Sequence, residues 1–182
     1  LLAASRIGVC NFDEEYLYDF GSDGEGDGQF THATTIALDS QERVYVADEF
    51  QNRITVFDSS GKFLNKWGTF GSDAGDIDGP SGLAIDSEDN IYVVDQHNNR
   101  VQKFTSDGRY ILQWGEPGDG DGQLNLPWGI TLDHQGNVYV ADWRNDRVQK
   151  FTPDGELISS FGESGDGDGQ LNRPSNVAVD RD

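Results

Sequence analysis

Short apolar runs, cut by Gly, Asn, Asp and Pro, make up the pattern along this chain. Between Gly129 and Gly162 they read GITLD, VYVAD, RVQKF and LISSFG. β-Branched and aromatic residues dominate each run. The breaks at His134–Asn137 and Pro153–Gly155 carry the Gly, Asn and Asp that tight hairpin turns need for positive φ. No stretch has a helical period. The pattern predicts four antiparallel strands joined by hairpins.

The same pattern is written three times at a fixed step. Asp48, Asp95 and Asp142 each close a YVAD or YVVD run and stand 47 residues apart; Arg53, Arg100 and Arg147 keep that step. So do the aromatic-Gly pairs that end at Gly21, Gly68, Gly115 and Gly162. A period of this length marks a stacked array of one supersecondary unit. Four strands per unit with no helix between units is a propeller blade.

The register divides the chain as a single propeller segment, residues 1–182. Residues 1–21 hold the third and fourth strands of a partial blade, Arg6–Cys10 and Leu17–Gly21. Blade one spans residues 34–68 with Thr34–Asp39, Val44–Asp48, Arg53–Phe57 and Phe63–Gly68. Blade two, 81–115, has Ser81–Asp86, Ile91–Asp95, Arg100–Phe104 and Tyr110–Gly115. Blade three, 128–162, has Trp128–Asp133, Val138–Asp142, Arg147–Phe151 and Leu157–Gly162. Residues 175–182 begin a further blade with the strand Ser175–Asp180. The expectation is an incomplete ring, a segment of a longer chain, because open sheet edges are normally covered or closed. Inner strands that alternate large and small apolar residues, as in Ile36–Leu38 and Val177–Val179, predict sheets buried on both faces. The connector after each outer strand falls on the same rim as the turn between the second and third strands.

Composition changes the picture in one respect. Asp and Glu number 33 against 13 Lys and Arg, a net charge of −20. That sign excludes nucleic acid and anionic membrane surfaces as natural partners, since both are bound by clustered cations. No apolar run approaches the roughly 20 residues of a membrane helix. Much of the acid recurs in the connectors: Asp23, Glu25 and Asp27, then Asp73, Asp76 and Asp78, then Glu116, Asp119 and Asp121, then Glu163, Asp166 and Asp168. A secreted or cell-surface setting suits this composition better than the cytoplasm. Cys10 falls where Phe57, Phe104 and Phe151 fall in later copies, and reads as a core hydrophobe.

The repeat GDGQL, then the proline of Pro80, Pro127 or Pro174, then GIxLD, VYVAD, RVQKF, DG and an aromatic-Gly pair resembles the NHL repeat. The resemblance covers essentially the whole chain and includes Gln123-Leu124 and Gln170-Leu171. It implies a six-bladed β-propeller of which about four repeats are present. It does not imply one function: such repeats serve as interaction modules in tripartite-motif ubiquitin ligases, as RNA-binding heads, as extracellular parts of bacterial kinases and in amidating lyases. The lyases carry a histidine just after the proline, where this chain has Thr34, Ser81, Trp128 and Ser175. His32, His97 and His134 lie elsewhere.

Residues repeated in every blade serve what every blade needs. Asp48, Asp95 and Asp142 are expected to accept backbone N–H groups of the turn, and Arg53, Arg100 and Arg147 to pair with them across the hairpin. Function breaks the symmetry. The positions after each Asp differ: Glu49, Phe50, Gln51; Gln96, His97, Asn98; Trp143, Arg144, Asn145. Trp128 opens an inner strand where its sisters are Thr34, Ser81 and Ser175. Phe50, His97, Trp128, Trp143 and Arg144 are the expected partner-binding residues. Asp119–Gly122 and Asp166–Gly169 look like fragments of calcium loops without the closing Glu, so the connectors are candidates for weak calcium binding, with solvated acidic turns as the plainer reading. No catalytic set, metal ligand set or cofactor fingerprint is present. The expectation is a non-enzymatic protein- or peptide-binding scaffold with a basic partner. The alternatives are a segment of a metal-dependent propeller lyase or hydrolase whose ligands lie in other blades, and the substrate-binding part of a tripartite-motif-like ubiquitin ligase.

Overall fold

The computed structural model describes residues 6–10 and 15–180. Among them, three four-stranded antiparallel sheets follow one another in chain order. The first is β5 (Ala33–Leu38), β6 (Val44–Asp48), β7 (Arg53–Phe57) and β8 (Phe63–Trp67); β1 (Ile7–Cys10) and β2 (Tyr16–Phe20) precede it as a two-stranded sheet. Between them lies a short parallel pair, β3 (Ser22–Asp23) with β4 (Gln29–Phe30). The second sheet is β9 (Pro80–Ile85), β10 (Ile91–Asp95), β11 (Arg100–Phe104) and β12 (Tyr110–Trp114). The third is β13 (Ile130–Leu132), β14 (Val138–Asp142), β15 (Arg147–Phe151) and β16 (Leu157–Phe161). The fold is all-β, a propeller whose described blades do not close a ring. The Cys10 side chain, expected in the core, lies outside the described residues.

Ser175–Asp180 is corrected: it joins no sheet. A strand is a pairing, and among the described residues no strand pairs with this segment. Its start still packs on blade three, where a Cβ on Gly129 would stand 2.7 Å from the Asn176 Cα. The expected freedom from helix also needs one amendment, a single 3₁₀ turn at Trp143–Asn145.

The core lies between the sheets, since a blade is apolar on both faces and buries each against a neighbour. One layer joins Tyr45, Ile54, Ile77, Leu83, Ile91 and Phe104 across blades one and two. The next joins Tyr92, Val101, Trp114, Leu124, Val138 and Phe151 across blades two and three. An aromatic step links each pair: the last aromatic of one blade meets the third-strand Phe of the next, Phe20 with Phe57 at 4.8 Å, Trp67 with Phe104 at 4.8 Å and Trp114 with Phe151 at 5.8 Å between ring centres. β6, β7 and β10 are buried along their whole length, whereas Ile36 and Leu38 of β5 are exposed. Burial on both faces is therefore not met by β5, because the two-stranded sheet before it offers no inner strand to cover those side chains.

The first hairpin of each blade is held by a carboxylate. Asp39, Asp86 and Asp133 each accept two backbone N–H groups of their turn and the hydroxyl of Tyr45, Tyr92 or Tyr139. Blades two and three supply the counter-charge from the third strand, Lys103 to Asp86 at 3.2 Å and Lys150 to Asp133 at 3.1 Å. Blade one has Val56 at that register and supplies it instead from Arg43, 2.5 Å from Asp39. Burial pushes the Asp133 carboxyl up, but the Asn137 amide and N–H, Lys150 and the Gln135 N–H outweigh it and hold the group well below its ordinary value.

Candidate functional site

The turns between second and third strands and the connectors into each blade meet on one rim. Asp48, Asp95 and Asp142 are buried there, opposite Arg53, Arg100 and Arg147 in the strand register. Each carboxylate reaches into the connector: Asp48 accepts the N–H of Thr31 at 2.7 Å, Asp95 that of Asp78 at 2.7 Å, and Asp142 that of Asn125 at 2.7 Å. The guanidinium groups reach the connector's carbonyls. Arg53 donates to Glu25, Gly26 and Gln29, Arg100 to Ser72, Asp73 and Asp76, and Arg147 to Gly120 and Gln123. This Asp–Arg unit ties each acidic loop to its blade.

Pairing across the hairpin is found in two blades only. Arg100 Nε lies 2.6 Å from Asp95 and Arg147 Nε lies 2.8 Å from Asp142. In blade one Arg53 Nε is buried with no hydrogen-bond partner, as are Thr55 Oγ1 and Gln51 Oε1. Two residues differ from the sister blades: Gln51 stands where Asn98 and Asn145 bond the buried Asp, and Thr55 differs too. Gln102 and Gln149 of the sister blades bond the buried Asp, a connector carbonyl and the Gly75 or Gly122 N–H, and the shorter Thr55 stands in their place.

The connectors are themselves folded, which their Gly and Asp content conceals. The Gln of the GDGQ segment turns its amide back into the loop: Gln123 Oε1 accepts the Gly120 N–H at 2.9 Å, and its Nε2 donates to Glu116 at 2.9 Å. Gln29 and Gln170 do the same with Ser22 and Glu163, and in the second connector Asp76 takes the role against Thr69. In the third connector the Gly120 and Gln123 carbonyls are turned onto Arg147. Among the described residues no three His, Cys, Asp or Glu side chains come together to hold a metal ion.

Of the residues that differ between blades, Trp128 borders a 440 Å³ cavity. Thr34 and Ser81 of the inner strands line it, together with Trp128, Ser175 and Asn176. Thr34 and Ser81 use their hydroxyls to staple adjacent blades, donating to the carbonyls of Pro80 at 2.8 Å and Trp128 at 3.0 Å. Trp128 has no hydroxyl to continue the series, and its indole, 38% exposed, meets Trp143 at 6.4 Å. Arg144 lies over the Trp143 ring at 5.5 Å, and Arg173 at 5.1 Å. At the other end of the rim Phe50, 65% exposed, stacks on His32 at 4.7 Å, and His32 Nδ1 lies 2.9 Å from Glu49. His97 sits between them, exposed, 3.0 Å from Asp78.

The structure thus brings Trp128, Trp143 and Arg144 into one cluster and leaves Phe50 and His97 as separate points on the same rim. Sequence reasoning missed Arg173 and His32. Both occupy the register His32, Gly79, Leu126, Arg173, whose variation was the available signal. Arg173 has φ +50 and its N–H donates to Asp146 at 2.7 Å, the counterpart of the Asn52-to-Gly79 and Asn99-to-Leu126 links. The Arg173 N–H, then the Ser164 hydroxyl, hold the Asp146 carboxyl below its ordinary value.

Comparison with known proteins agrees with this geometry. Solved structures similar to the chain include a streptogramin B lyase (TM-score 0.66, 18% identity, 87% of this chain and 48% of that one). A catalytically inactive virginiamycin B lyase from Staphylococcus aureus, solved with quinupristin, gives TM-score 0.65 and 19% identity over 87% of this chain and 48% of that one. A protein of unknown function from Bacteroides caccae gives 0.62 and 17%, over 88% and 55%. At these identities the likeness is one of fold, and the chain spans about half the length of these proteins. No curated protein matches it. Residues 78–104 and 124–151 match the NHL repeat, so the chain carries NHL repeats at these two positions within a β-propeller fold.

Proposed function

We propose that this propeller segment is a non-enzymatic scaffold that binds a basic protein or peptide on the rim carrying the second turns and the connectors. One observation carries the reading. The Asp and Arg repeated on this rim are engaged in holding it, whereas Phe50, His97, Trp128 and Arg144 are exposed there and Trp143 is half-buried. Large aromatics and arginine are the side chains on which interface energy concentrates. The net charge of −20, with acid repeated in every connector, would steer a cationic partner toward this face and raise its association rate.

The test is fluorescence anisotropy with a labelled lysine-alanine decapeptide, titrated with the chain at several salt concentrations. The reading expects binding whose affinity falls at least about tenfold between 50 and 300 mM salt, as screening shortens the reach of the connector charges. Affinity independent of salt, or no binding at low salt, contradicts it.

A further inference from the structure

Eight of the described lysine and arginine side chains reach a carboxylate. Four others form no ion pair among the described residues: Arg53, bonded to connector carbonyls, Lys62, and Arg144 and Arg173, which both lie over one ring, that of Trp143. Asp146 offsets part of the Arg173 charge, and Arg144 beside the same indole leaves the pair with an excess of positive charge that favours a further anion. A guanidinium stacked on an aromatic face keeps its in-plane N–H groups free, and these fit a carboxylate with two parallel hydrogen bonds. Arg173 is held at φ +50, a backbone conformation that glycine adopts at the sister position Gly79, φ +67. Leu126 at the other sister position is held at φ +47, so this register carries large side chains in the left-handed conformation, and glycine fits it as well. Trp128 adds a second aromatic wall and stands at the mouth of the axial cavity, which Ser175 and Asn176 also line.

We infer that Trp128, Trp143, Arg144 and Arg173 form a carboxylate subsite at the blade-three end of the rim. It rests on the peptide-binding reading and deepens it: the partner carries basic residues toward the acidic connectors and one carboxylate into this cluster. That carboxylate is either the free C-terminus or an acidic side chain. Arg144 and Arg173 supply the hydrogen bonds, and the two indoles supply the apolar walls.

The experiment follows the indole Nε1–H resonances of the labelled chain by NMR with three small probes. They are N-acetylphenylalanine, its C-terminal amide, and N-acetylglutamate α-amide. Saturable shifts of the Trp128 and Trp143 resonances are expected, with at least one acid binding about tenfold or more tighter than the phenylalanine amide. Preference for the first acid assigns a C-terminal carboxylate, and preference for the second assigns a side chain. Arg144→Gln with Arg173→Gly should remove the preference while the Trp67 and Trp114 resonances and the thermal midpoint hold, since glycine suits the left-handed position. Equal binding of acids and amide, no binding of any probe, or an acid preference that survives the double variant overturns the subsite. Because no probe here is basic, failure leaves the salt-dependent decapeptide result standing on its own.

Discussion

At the residue scale the repeat serves as its own control, since three copies of one site differ by single side chains. Thr55 stands where Gln102 and Gln149 complete a buried network, and its own hydroxyl, Arg53 Nε and Gln51 Oε1 have no hydrogen-bond partner. A buried donor or acceptor left unmade costs about 1–3 kcal/mol. Thr55→Gln should therefore raise stability by about 1 kcal/mol, measured by urea denaturation; a neutral or destabilising result would show that ordered water already serves these groups. The hairpin carboxylates give a pH dependence. Asp133 is held well below the ordinary carboxylate range, so its contribution is complete above the unfolded value of about 3.9 and is lost as pH falls through the lower folded value. Asp86 is shifted the same way, burial being outweighed by Asn90, the Glu88 N–H and Lys103. The thermal midpoint should fall as pH drops below about 4, and Lys150→Met should make that fall shallower. An acid limb unchanged in the variant would remove Lys150 from the account. The roles of Asp95 and Arg100 could be anticipated because residues repeated in every blade answer to the blade. Arg173 was marked only by the variation of its register, and a connector without strand periodicity gives its side chain no direction.

At the scale of elements, β6, β7, β10, β11, β14 and β15 have the bounds that the sequence predicts, because YVxD and the Arg-to-Phe run are fixed by a hairpin at both ends. The inner and outer strands shift by a residue or more where their ends meet no partner. The connectors read as acidic loops, yet Gln29, Asp76, Gln123 and Gln170 fold them, a function visible only once the register aligns the four. The DG turns have a similar hidden part. At Gly108, with φ +87, an added Cβ would stand 2.3 Å from the Trp67 ring, while at Gly136, with φ +83, the nearest neighbour is a Pro153 side-chain carbon at 3.5 Å. Both substitutions to Ala incur the left-handed penalty of about 1 kcal/mol. Gly108→Ala must also displace the aromatic step between blades. It should lower stability by about 2 kcal/mol more than Gly136→Ala, in the range of overpacked cores; equal losses would mean that the ring shifts freely and the step contributes little.

At the scale of the molecule, separate interblade layers make stability a sum over neighbouring contacts. The rim then offers a surface that substitutions can alter without disturbing the layers beneath. The fold and the division between shared and varying positions were legible in the 47-residue period. The clustering of Trp128, Trp143, Arg144 and Arg173 was not, because it joins the second turn of one blade to the connector of the next. The most direct measurement of the central claim is a selection of random peptides on the chain at low salt, repeated on the rim variant Phe50→Ala, Trp128→Ser, Trp143→Ala. The account predicts enrichment of lysine- and arginine-rich peptides that the variant binds at least about tenfold more weakly, with its thermal midpoint preserved. Failure to enrich basic sequences, or peptides that bind the variant as well as the parent chain, would contradict it.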